Sequence, residues 1–323
     1  VSLPTRRSRV RPPLPAPENV IKSKYITSIF QLFLNNRDIR YFRNNFIYYL
    51  FFRIIRTFLA YDLIIKIYNF KIYGSIKKNK TSYYLLKKCE FGDYHELNTI
   101  KKFSHKNKIL FIDCGCNYGF YSFYTASISK KNFVLSIEAS KLTSIEFLKN
   151  LEINNFSNMS FRNNAISDID NCNIIFNESE NDWESSQTHD DFKVETISKV
   201  KSITIDSLTK PYDLTEYETI IKLDIEGNEM EAIHGGLELI KKKSPLIIIE
   251  FSKFIFNDKS KVKYLKNFLT NSNYSIYDTN KKKIYLDHIM NKFSKLKKKY
   301  KTIGNYYLIK NSSENLKTFL SDE

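Results

Sequence analysis

The sequence predicts an α/β protein with a doubly wound, mostly parallel, seven-stranded sheet. From about residue 81 onward, short apolar runs rich in β-branched residues alternate with segments of helical periodicity. Strands separated by helices of this size favour parallel pairing, with helices covering both faces of the sheet. The length of 323 residues suffices for one large domain or two small ones.

Nine segments have the pattern of strands and four have the pattern of helices. The predicted strands cover 108–113, 133–138, 159–166, 172–176, 201–205, 219–225, 245–251, 274–278 and 305–310. The predicted helices cover 119–129, 141–154, 229–243 and 259–272. Residues 177–199 are polar and acidic, contain the single tryptophan, Trp183, and predict a long loop.

Composition divides the chain into four predicted parts. Residues 1–17 are rich in Pro and Arg and predict a disordered arm, and residues 18–80 predict a basic, aromatic, helical extension. The main domain is predicted over 81–311, followed by a tail at 312–323.

The extension includes an apolar run, 44–70, that has the length of a helix. Arg53, Arg56 and Asp62 interrupt it, which argues against a membrane span because each would be costly at the centre of a bilayer. A helix packed on the domain is the first interpretation. The alternative is peripheral contact of residues 20–70 with an anionic membrane surface.

The net charge of +16 belongs to the two ends of the chain. Residues 1–88 carry +15 and residues 281–323 carry +7, whereas residues 89–280 carry −6. A nucleic-acid partner is therefore not expected, because it would require basic residues around the predicted cleft. The four cysteines form no regular disulfide framework, which indicates a reducing compartment and a cytoplasmic location.

The segment FIDCGCNYGFYSF, residues 111–123, predicts a nucleotide-binding element. A strand ends at Asp113, and a turn with Gly115, Asn117 and Gly119 leads into a helix. A pyrophosphate favours a glycine where Asn117 stands, so the spacing argues against NAD, while the acid suits an ammonium group. Glu138 ends the second strand, where a carboxylate can accept from ribose hydroxyls. Together these features favour S-adenosylmethionine.

A second acidic cluster lies in IIKLDIEGNEMEAIHGG, residues 220–236. Lys222, Asp224 and Glu226 alternate along the predicted strand, so we expect them on one face of it. Glu229 has the alternative role of capping the next helix. Glu250 ends the following strand, where a carboxylate could take a proton from an acceptor hydroxyl. No metal ligand set is predicted, although three acids could also hold a divalent cation.

These motifs resemble a known family, the FkbM-type S-adenosylmethionine-dependent methyltransferases. The resemblance covers about residues 90–311, and the lysine–aspartate–glutamate motif is its most specific part. It rests on Asp113-Cys-Gly115-Cys-Asn117-Tyr-Gly119, Glu138-Ala-Ser140, Asn164-Ala165-Ile-Ser167-Asp168, TIDSL at 204–208, Lys222-Leu-Asp224-Ile-Glu226-Gly227-Asn-Glu229 and Glu250. The family has the class I methyltransferase fold, a Rossmann-like doubly wound sheet, which agrees with the fold predicted from the pattern.

The resemblance also implies roles for the motif residues. The methionine part of the cofactor would be held by Asp113, Gly115, Asn117 and Gly119. Glu138 would hold the ribose, and Asn164 and Ala165 would lie near the adenine. Asp224 would lie beside the cofactor's methyl group, and it forms the candidate catalytic set together with Lys222, Glu226 and Glu250.

The function that we expect from the sequence is S-adenosylmethionine-dependent O-methylation. The resemblance implies a hydroxyl of a sugar, a glycan or a glycolipid precursor as the acceptor, and hence a small-molecule or glycan substrate. Two alternatives stay open at this point. One is a nucleic-acid methyltransferase, and the other is a non-catalytic module that binds S-adenosylmethionine without transferring its methyl group.

Overall fold

The computed structural model describes residues 62–75, 93–178, 196–295 and 302–321. The predicted arm at 1–17 and residues 18–61 of the predicted extension lie outside the described residues, as do Cys89 and Trp183. Within the described ranges, no helix has both the length and the apolar character needed to cross a bilayer.

Thirteen strands and ten helices make up the described part of the chain. The strands are β1 (Asp62–Ile67), β2 (Phe70–Ser75), β3 (Ile109–Cys114), β4 (Phe133–Glu138), β5 (Met159–Asn163), β6 (Ala165–Ile166), β7 (Asn173–Glu178), β8 (Thr196–Ile203), β9 (Glu218–Leu223), β10 (Leu246–Ser252), β11 (Tyr274–Tyr277), β12 (Lys283–Ile284) and β13 (Thr302–Lys310). The helices are α1 (Tyr94–Lys106), α2 (Phe120–Ile128), α3 (Lys141–Asn154), α4 (Ile205–Thr209), α5 (Glu229–His234), α6 (Leu237–Lys243), α7 (Lys253–Phe256), α8 (Lys259–Asn271), α9 (Leu286–Ser294) and α10 (Glu314–Leu320).

The central sheet confirms the predicted doubly wound α/β fold. Its strand order is β12-β11-β13-β10-β9-β3-β4-β5. Strands β5, β4, β3, β9 and β10 pair in parallel, whereas β13 runs antiparallel to both of its neighbours, so the sheet is mixed. It has eight strands because the two-residue strand β12 extends one edge beyond the seven that were predicted.

Two hydrophobic cores lie on opposite faces of this sheet. Alternate residues of β3 divide between them: Ile109 and Phe111 belong to the first core, and Leu110 and Ile112 belong to the second. The first core packs against α1, α2, α3 and α10, and the second packs against α4 to α9. The side chain of Asp113 continues the first series and therefore points toward the layer that contains α1 and α2.

A β-hairpin replaces part of the predicted helix at 44–70. Strands β1 and β2 pair antiparallel around a two-residue turn, at which Tyr68 adopts a φ of 49°. The helix prediction is wrong for residues 62–70 because β-branched isoleucines fit a pleated surface better than a helix. The hairpin is buried on one side, where Phe70 and Ile72 are each 1% exposed.

The α3 helix fixes the hairpin through side-chain amides. The backbone N–H of Lys71 donates to Asn154 Oδ1 at 2.7 Å, and that of Tyr73 donates to Asn150 Oδ1 at 2.6 Å. These bonds satisfy amides on the β2 edge, so the hairpin is joined to the domain rather than only covering it.

A separate three-stranded sheet, with the order β6-β8-β7, corrects two further predictions. The predicted strand at 159–166 divides into β5 and β6, because Asn164 turns away and donates from Nδ2 to the carbonyl of Lys201 at 2.9 Å. The strand predicted at 201–205 ends at Ile203. Its next residue, Thr204, begins α4 by accepting a hydrogen bond from the backbone N–H of Ser207 at 3.0 Å.

The aromatic stack at α3 allows a direct test of the first core. Phe147 is fully buried, and its ring lies 4.3 Å from the ring of Phe161 and 5.0 Å from that of Phe123, centroid to centroid. We expect Phe147→Ala to reduce the free energy of unfolding by about 3–5 kcal/mol, since it leaves a cavity. Leu148→Ala, on the same helix but 48% exposed, should change it by less than about 0.5 kcal/mol. Equal urea midpoints for the two variants would contradict this packing.

Candidate active site

Strand register brings the predicted acidic residues to one edge of the sheet. Strands β3, β9 and β10 are neighbours, and Asp113 lies directly opposite Lys222. Ile249 lies opposite Leu223, so Glu250 and Asp224 follow at the same level. This is the carboxyl edge of the parallel strands, where open α/β sheets bind their ligands.

Lys222 is the buried cation of this edge. It is 3% exposed, and its Nζ donates to Asp224 Oδ2 at 2.7 Å while lying 4.8 Å from the ring centroid of Tyr121. Burial alone would lower the pKa of Lys222, but Asp224, Asp113 and Asp93 raise it above its ordinary value. Lys222 is therefore charged at neutral pH and compensates the surrounding carboxylates.

Three carboxylates meet beside Lys222 and form what we call the carboxylate rim: Asp224, Glu226 and Glu250. One oxygen of each lies within 4.8 Å of the other two. Strand alternation does not produce this arrangement, because β9 ends at Leu223 and the prediction of a strand through 225 is wrong. A loop with a φ of 53° at Glu226 brings the side chains together instead.

The surroundings of the carboxylate rim make Glu250 a weaker acid. Burial, together with the nearby charges of Asp224 and Glu226, raises the pKa of Glu250 well above that of an ordinary glutamate. Lys222 opposes this shift without cancelling it. Its carboxylate is therefore a stronger base than that of an ordinary glutamate, which suits a group that accepts a proton.

Glu229 holds the loop that carries the rim. Its Oε1 accepts hydrogen bonds from the backbone N–H of Ile225 at 3.2 Å and of Gly227 at 3.1 Å. Because Asn228 is the N-cap of α5, Glu229 stabilises the preceding loop rather than simply capping the helix. Glu229 is 1% exposed, and burial raises its pKa to about 7.

The glycine turn predicted at residues 115–119 is packed tightly on its neighbours. Gly115 has a φ of 78°, and a Cβ atom there would overlap with the carbonyl oxygen of Asp224. Gly119 has a φ of 87°, and a Cβ atom would overlap with the rings of Phe123 and Phe147. Asn117 takes the left-handed conformation with a φ of 50°, which asparagine tolerates better than most residues.

Every amide of this turn donates within the protein. The acceptors are Ile137 O for Gly115 and Cys116, Glu138 Oε2 for Asn117, Asn117 Oδ1 for Tyr118 and Cys116 O for Gly119. The second oxygen of the Glu138 carboxylate accepts from the backbone N–H of Ser140 at 2.9 Å. The turn therefore offers a ligand carbonyl and carboxylate acceptors rather than the amide donors that a pyrophosphate requires.

Two predicted cofactor residues, Asp113 and Ala165, are buried more deeply than the roles assigned to them suggest. Asp113 is 1% exposed and accepts from the hydroxyl of Ser122 at 2.6 Å, and burial raises its pKa. Its Oδ1 accepts no hydrogen bond from the described residues. Ala165 is fully buried in the core of the small sheet, and Asn164 is bonded to Lys201.

The comparison with protein families gives a match to the Methyltransferase FkbM domain over residues 113–276, half of the chain. The chain belongs to the FkbM methyltransferase family. The resemblance stated from the sequence is therefore confirmed. No curated protein matches the chain.

Solved structures with a similar fold are remote in sequence. Methyltransferase FkbM from Methylobacillus flagellatus KT is 17% identical, with 69% of this chain and 52% of that chain covered and a TM-score of 0.38. This chain thus spans about half the length of that protein. TYW2 from M. jannaschii, in complex with AdoMet, is 12% identical, with coverage of 77% and 83% and a TM-score of 0.38. An rRNA methylase from Streptococcus thermophilus is 11% identical, with coverage of 68% and 97% and a TM-score of 0.37.

The donor set of this FkbM domain fits a cationic ligand. Carboxylates surround the edge of the sheet, Lys222 is already bonded to Asp224, and the amides of the glycine turn are bonded within the protein. A group with a sulfonium and an ammonium charge would be stabilised in such surroundings, as a carboxylate-lined site favours cations.

Sequence reasoning missed two residues of the candidate site, Asp93 and Tyr121. The Tyr121 hydroxyl donates to Asp93 Oδ2 at 2.7 Å, and burial raises the pKa of that carboxyl. Glu96, in the first turn of α1, is 4% exposed, and burial raises its pKa as well. The signal that could have found Asp93 is its position directly before the helix α1, at the sheet's carboxyl edge.

The tight contact at Gly115 predicts a substitution effect that can be separated from backbone strain. Gly115→Ala should lower the free energy of unfolding by several kcal/mol, because the new methyl group overlaps with the backbone of Asp224. Gly304→Ala is the matched control: its φ of 113° is also positive, yet nothing lies within 4 Å. It should lose only about 1–2 kcal/mol. Similar losses in thermal or urea unfolding would show that the contact with Asp224 is absent.

The buried Glu229 predicts a pH-dependent stability. Because its pKa in the folded protein is raised to about 7, the folded state holds the proton more tightly, and stability is lost as pH rises from about 4.5 through 7. The loss assigned to Glu229 is on the order of 3 kcal/mol. Glu229→Gln should remove that part of the pH dependence while keeping an acceptor for the loop amides.

The control for this measurement is Glu238→Gln, which changes an exposed glutamate on α6. It should preserve the wild-type dependence of unfolding free energy on pH. An unchanged slope in Glu229→Gln would mean that Glu229 titrates as an ordinary carboxyl.

Proposed function

We propose that this FkbM methyltransferase transfers a methyl group from S-adenosylmethionine to a hydroxyl oxygen. The observation that carries the proposal is the convergence of Asp224, Glu226 and Glu250 beside buried Lys222. Family membership supports methyl transfer, and the acidic surroundings of the site support a cationic methyl donor. The acceptor that we propose is a sugar, a glycan or a glycolipid precursor.

The glycine turn and the strand ends would hold the cofactor. Gly115, Asn117 and Gly119 shape the surface on which the methionine part would lie. Glu138, at the end of β4, would accept hydrogen bonds from the ribose hydroxyls, and it also accepts from the backbone N–H groups of Asn117 and Ser140. Asp113 is buried and would not contact the cofactor directly. It would attract the cofactor through its charge and would position α2 by accepting the hydrogen bond from Ser122.

Asn164 and Ala165 would contribute to the adenine end mainly through their backbone. The Ala165 side chain is buried against Phe176 and Val200, and the amide of Asn164 donates to Lys201. The junction between β5 and β6 would therefore place main-chain atoms beside the adenine ring, and it would do so without a change in its own packing.

Glu250 is the group that we propose as general base. When bound, S-adenosylmethionine supplies an electrophilic methyl group on a positively charged sulfur. Glu250 would take the proton of the acceptor hydroxyl as that oxygen gains the methyl group, which leaves a methyl ether and S-adenosylhomocysteine. The raised pKa of Glu250 makes its carboxylate a stronger base than an ordinary glutamate.

Lys222 and Asp224 would position the acceptor rather than exchange its proton. The hydrogen bond from Lys222 fixes one oxygen of Asp224, whose side chain is 38% exposed and can therefore bond an acceptor hydroxyl. Fixed partners of this kind hold the reacting oxygen in line with the methyl group and exclude water. Glu226 would complete the negative surface on the open side of the rim.

A hydroxyl acceptor suits this edge better than a nucleic acid. A polyphosphate chain approaching the rim would meet Asp224, Glu226 and Glu250, and the portion from residue 89 to 280 is net negative. An uncharged hydroxyl meets no such repulsion and needs a carboxylate to remove its proton.

Replacement of Glu250 tests the proposed base. Glu250→Gln should lower kcat by about 10²–10⁴-fold while S-adenosylmethionine still binds, because only proton transfer is lost. In the wild-type protein kcat/KM should rise with pH through the raised pKa of Glu250, and the variant should lack that rise. The assay would follow transfer of a labelled methyl group to a glycan fraction by mass spectrometry, with calorimetry for cofactor affinity.

The matched control is Glu218→Gln, on the neighbouring strand β9 but at its opposite end. It should keep both the wild-type rate and the wild-type pH profile. If Glu250→Gln turns over as fast as Glu218→Gln, the base is another group.

A further inference from the structure

Glu250 lies where like charges gather at the carboxyl edge of the sheet. One oxygen of its carboxylate lies within 4.8 Å of an oxygen of Asp224 and of Glu226. Burial raises the pKa of Glu250 most, these two carboxylates raise it further, and Lys222 opposes them in part. The next cation along the chain, Lys253, lies 5.0 Å from the ring centroid of the phenylalanine that follows it. Because charges act strongly in a buried place, a charge that a ligand adds beside Glu250 also decides how firmly this carboxyl holds its proton.

The elements around Glu250 add further carboxyl groups and an amide. Asn305 lies directly opposite it in the antiparallel pair of β10 and β13, and the side chain of Asn305 is hydrogen-bonded to Glu96 of α1. Burial raises the pKa of Glu96 and that of Asp93, which begins the same helix. Glu229, which holds the rim loop, adds a like charge that raises the pKa of Glu250. The edge thus favours a ligand that brings positive charge, and it holds protons more firmly when that charge is missing.

Within the carboxylate rim, Glu250 is the member suited to exchange a proton. Asp224 Oδ2 accepts from the ammonium of Lys222 at 2.7 Å, an ion pair that requires Asp224 as a carboxylate. Within the described ranges, Glu250 forms no ion pair of its own. The charge of Glu250 is therefore best balanced when a cation lies beside it or when it holds a proton.

Methyl transfer to a hydroxyl removes one positive charge from this edge. S-adenosylmethionine carries a sulfonium and S-adenosylhomocysteine a neutral thioether, while the rest of the two molecules is the same. In the transfer the acceptor oxygen bonds to the methyl carbon, the bond from carbon to sulfur breaks with its electron pair left on sulfur, and the hydroxyl proton passes to Glu250. A carboxylate beside a sulfonium thus becomes a carboxylic acid beside a thioether, and the total charge of the edge stays the same.

We propose that Glu250 also determines how the site distinguishes S-adenosylmethionine from S-adenosylhomocysteine. Its carboxyl is ionised beside the sulfonium and protonated beside the thioether, so the two ligands bind to different protonation states of one protein. Loss of the proton to solvent restores the ionised state, which favours a new methyl donor over the product. The inference rests on the function proposed above, since it concerns the same site and the same proton.

Calorimetry of the full-length chain with both ligands, over a series of pH values, tests the inference without an acceptor. The affinity for S-adenosylmethionine relative to that for S-adenosylhomocysteine should rise with pH, by up to about tenfold per pH unit where Glu250 titrates. In two buffers of different ionisation enthalpy, S-adenosylmethionine should release up to about one proton more on binding than S-adenosylhomocysteine does. The groups that the two ligands share titrate alike, so their contribution cancels in the affinity ratio, as does any change in folding.

Three variants locate the exchanged proton. Glu250→Gln carries a neutral amide that resembles the protonated acid, so its affinity ratio should equal the low-pH wild-type ratio at every pH. Glu226→Gln removes another carboxyl of the rim, and it should move the rise to lower pH without abolishing it, because one like charge beside Glu250 is lost. Asp93→Asn removes a carboxyl whose pKa burial also raises, outside the rim, and it should leave the rise in place.

The inference is overturned if the wild-type affinity ratio is constant over the pH range in which the protein stays folded. It is equally overturned if Glu250→Gln keeps the rise, or if Asp93→Asn abolishes it. These results, obtained with both ligands bound, would leave the methyl-transfer proposal standing. A wild-type chain that binds neither ligand would refute the function on which the inference depends.

Discussion

The candidate active edge of this protein depends on one buried ion pair, that of Lys222 with Asp224. A lysine that is 3% exposed is expensive to keep charged unless carboxylates surround it, and here Asp224 bonds it while Asp113 lies opposite it in register. The same pair compensates part of the negative charge that Glu226 and Glu250 add. Without Lys222, the carboxylates that give the site its chemistry would repel one another at the end of the sheet.

The sequence predicted the centre of the sheet well because its strands are dominated by apolar, largely β-branched residues. Strand β4 begins and ends at the predicted residues, and β3 and β10 lie within one residue of the predicted bounds. The β1–β2 hairpin was missed because it follows an apolar stretch without glycine or proline, and the turn uses Tyr68 in a conformation that tyrosine rarely adopts.

The candidate site was likewise predicted only in part from the sequence. Motif spacing predicted that Asp224, Glu226 and Glu250 would reach one edge, but it attributed their meeting to strand alternation rather than to the loop held by Glu229. Asp93 and Tyr121 were missed because their hydrogen bond joins segments that are 28 residues apart, and only the packing of α1 on α2 brings them together. The burial of Ala165 follows from the small sheet, which the strand pattern had merged with the large one.

The proposed function places a cationic methyl donor at the end of β3, β9 and β10. A crystal structure of the chain with S-adenosylhomocysteine would locate that donor. The homocysteine sulfur should lie beside Asp224 and Glu250, and the ribose should lie at Glu138, the last residue of β4. Density for the ligand at any other surface, or a rim filled by the protein's own side chains, would contradict the assignment of this edge as the methyl-transfer site.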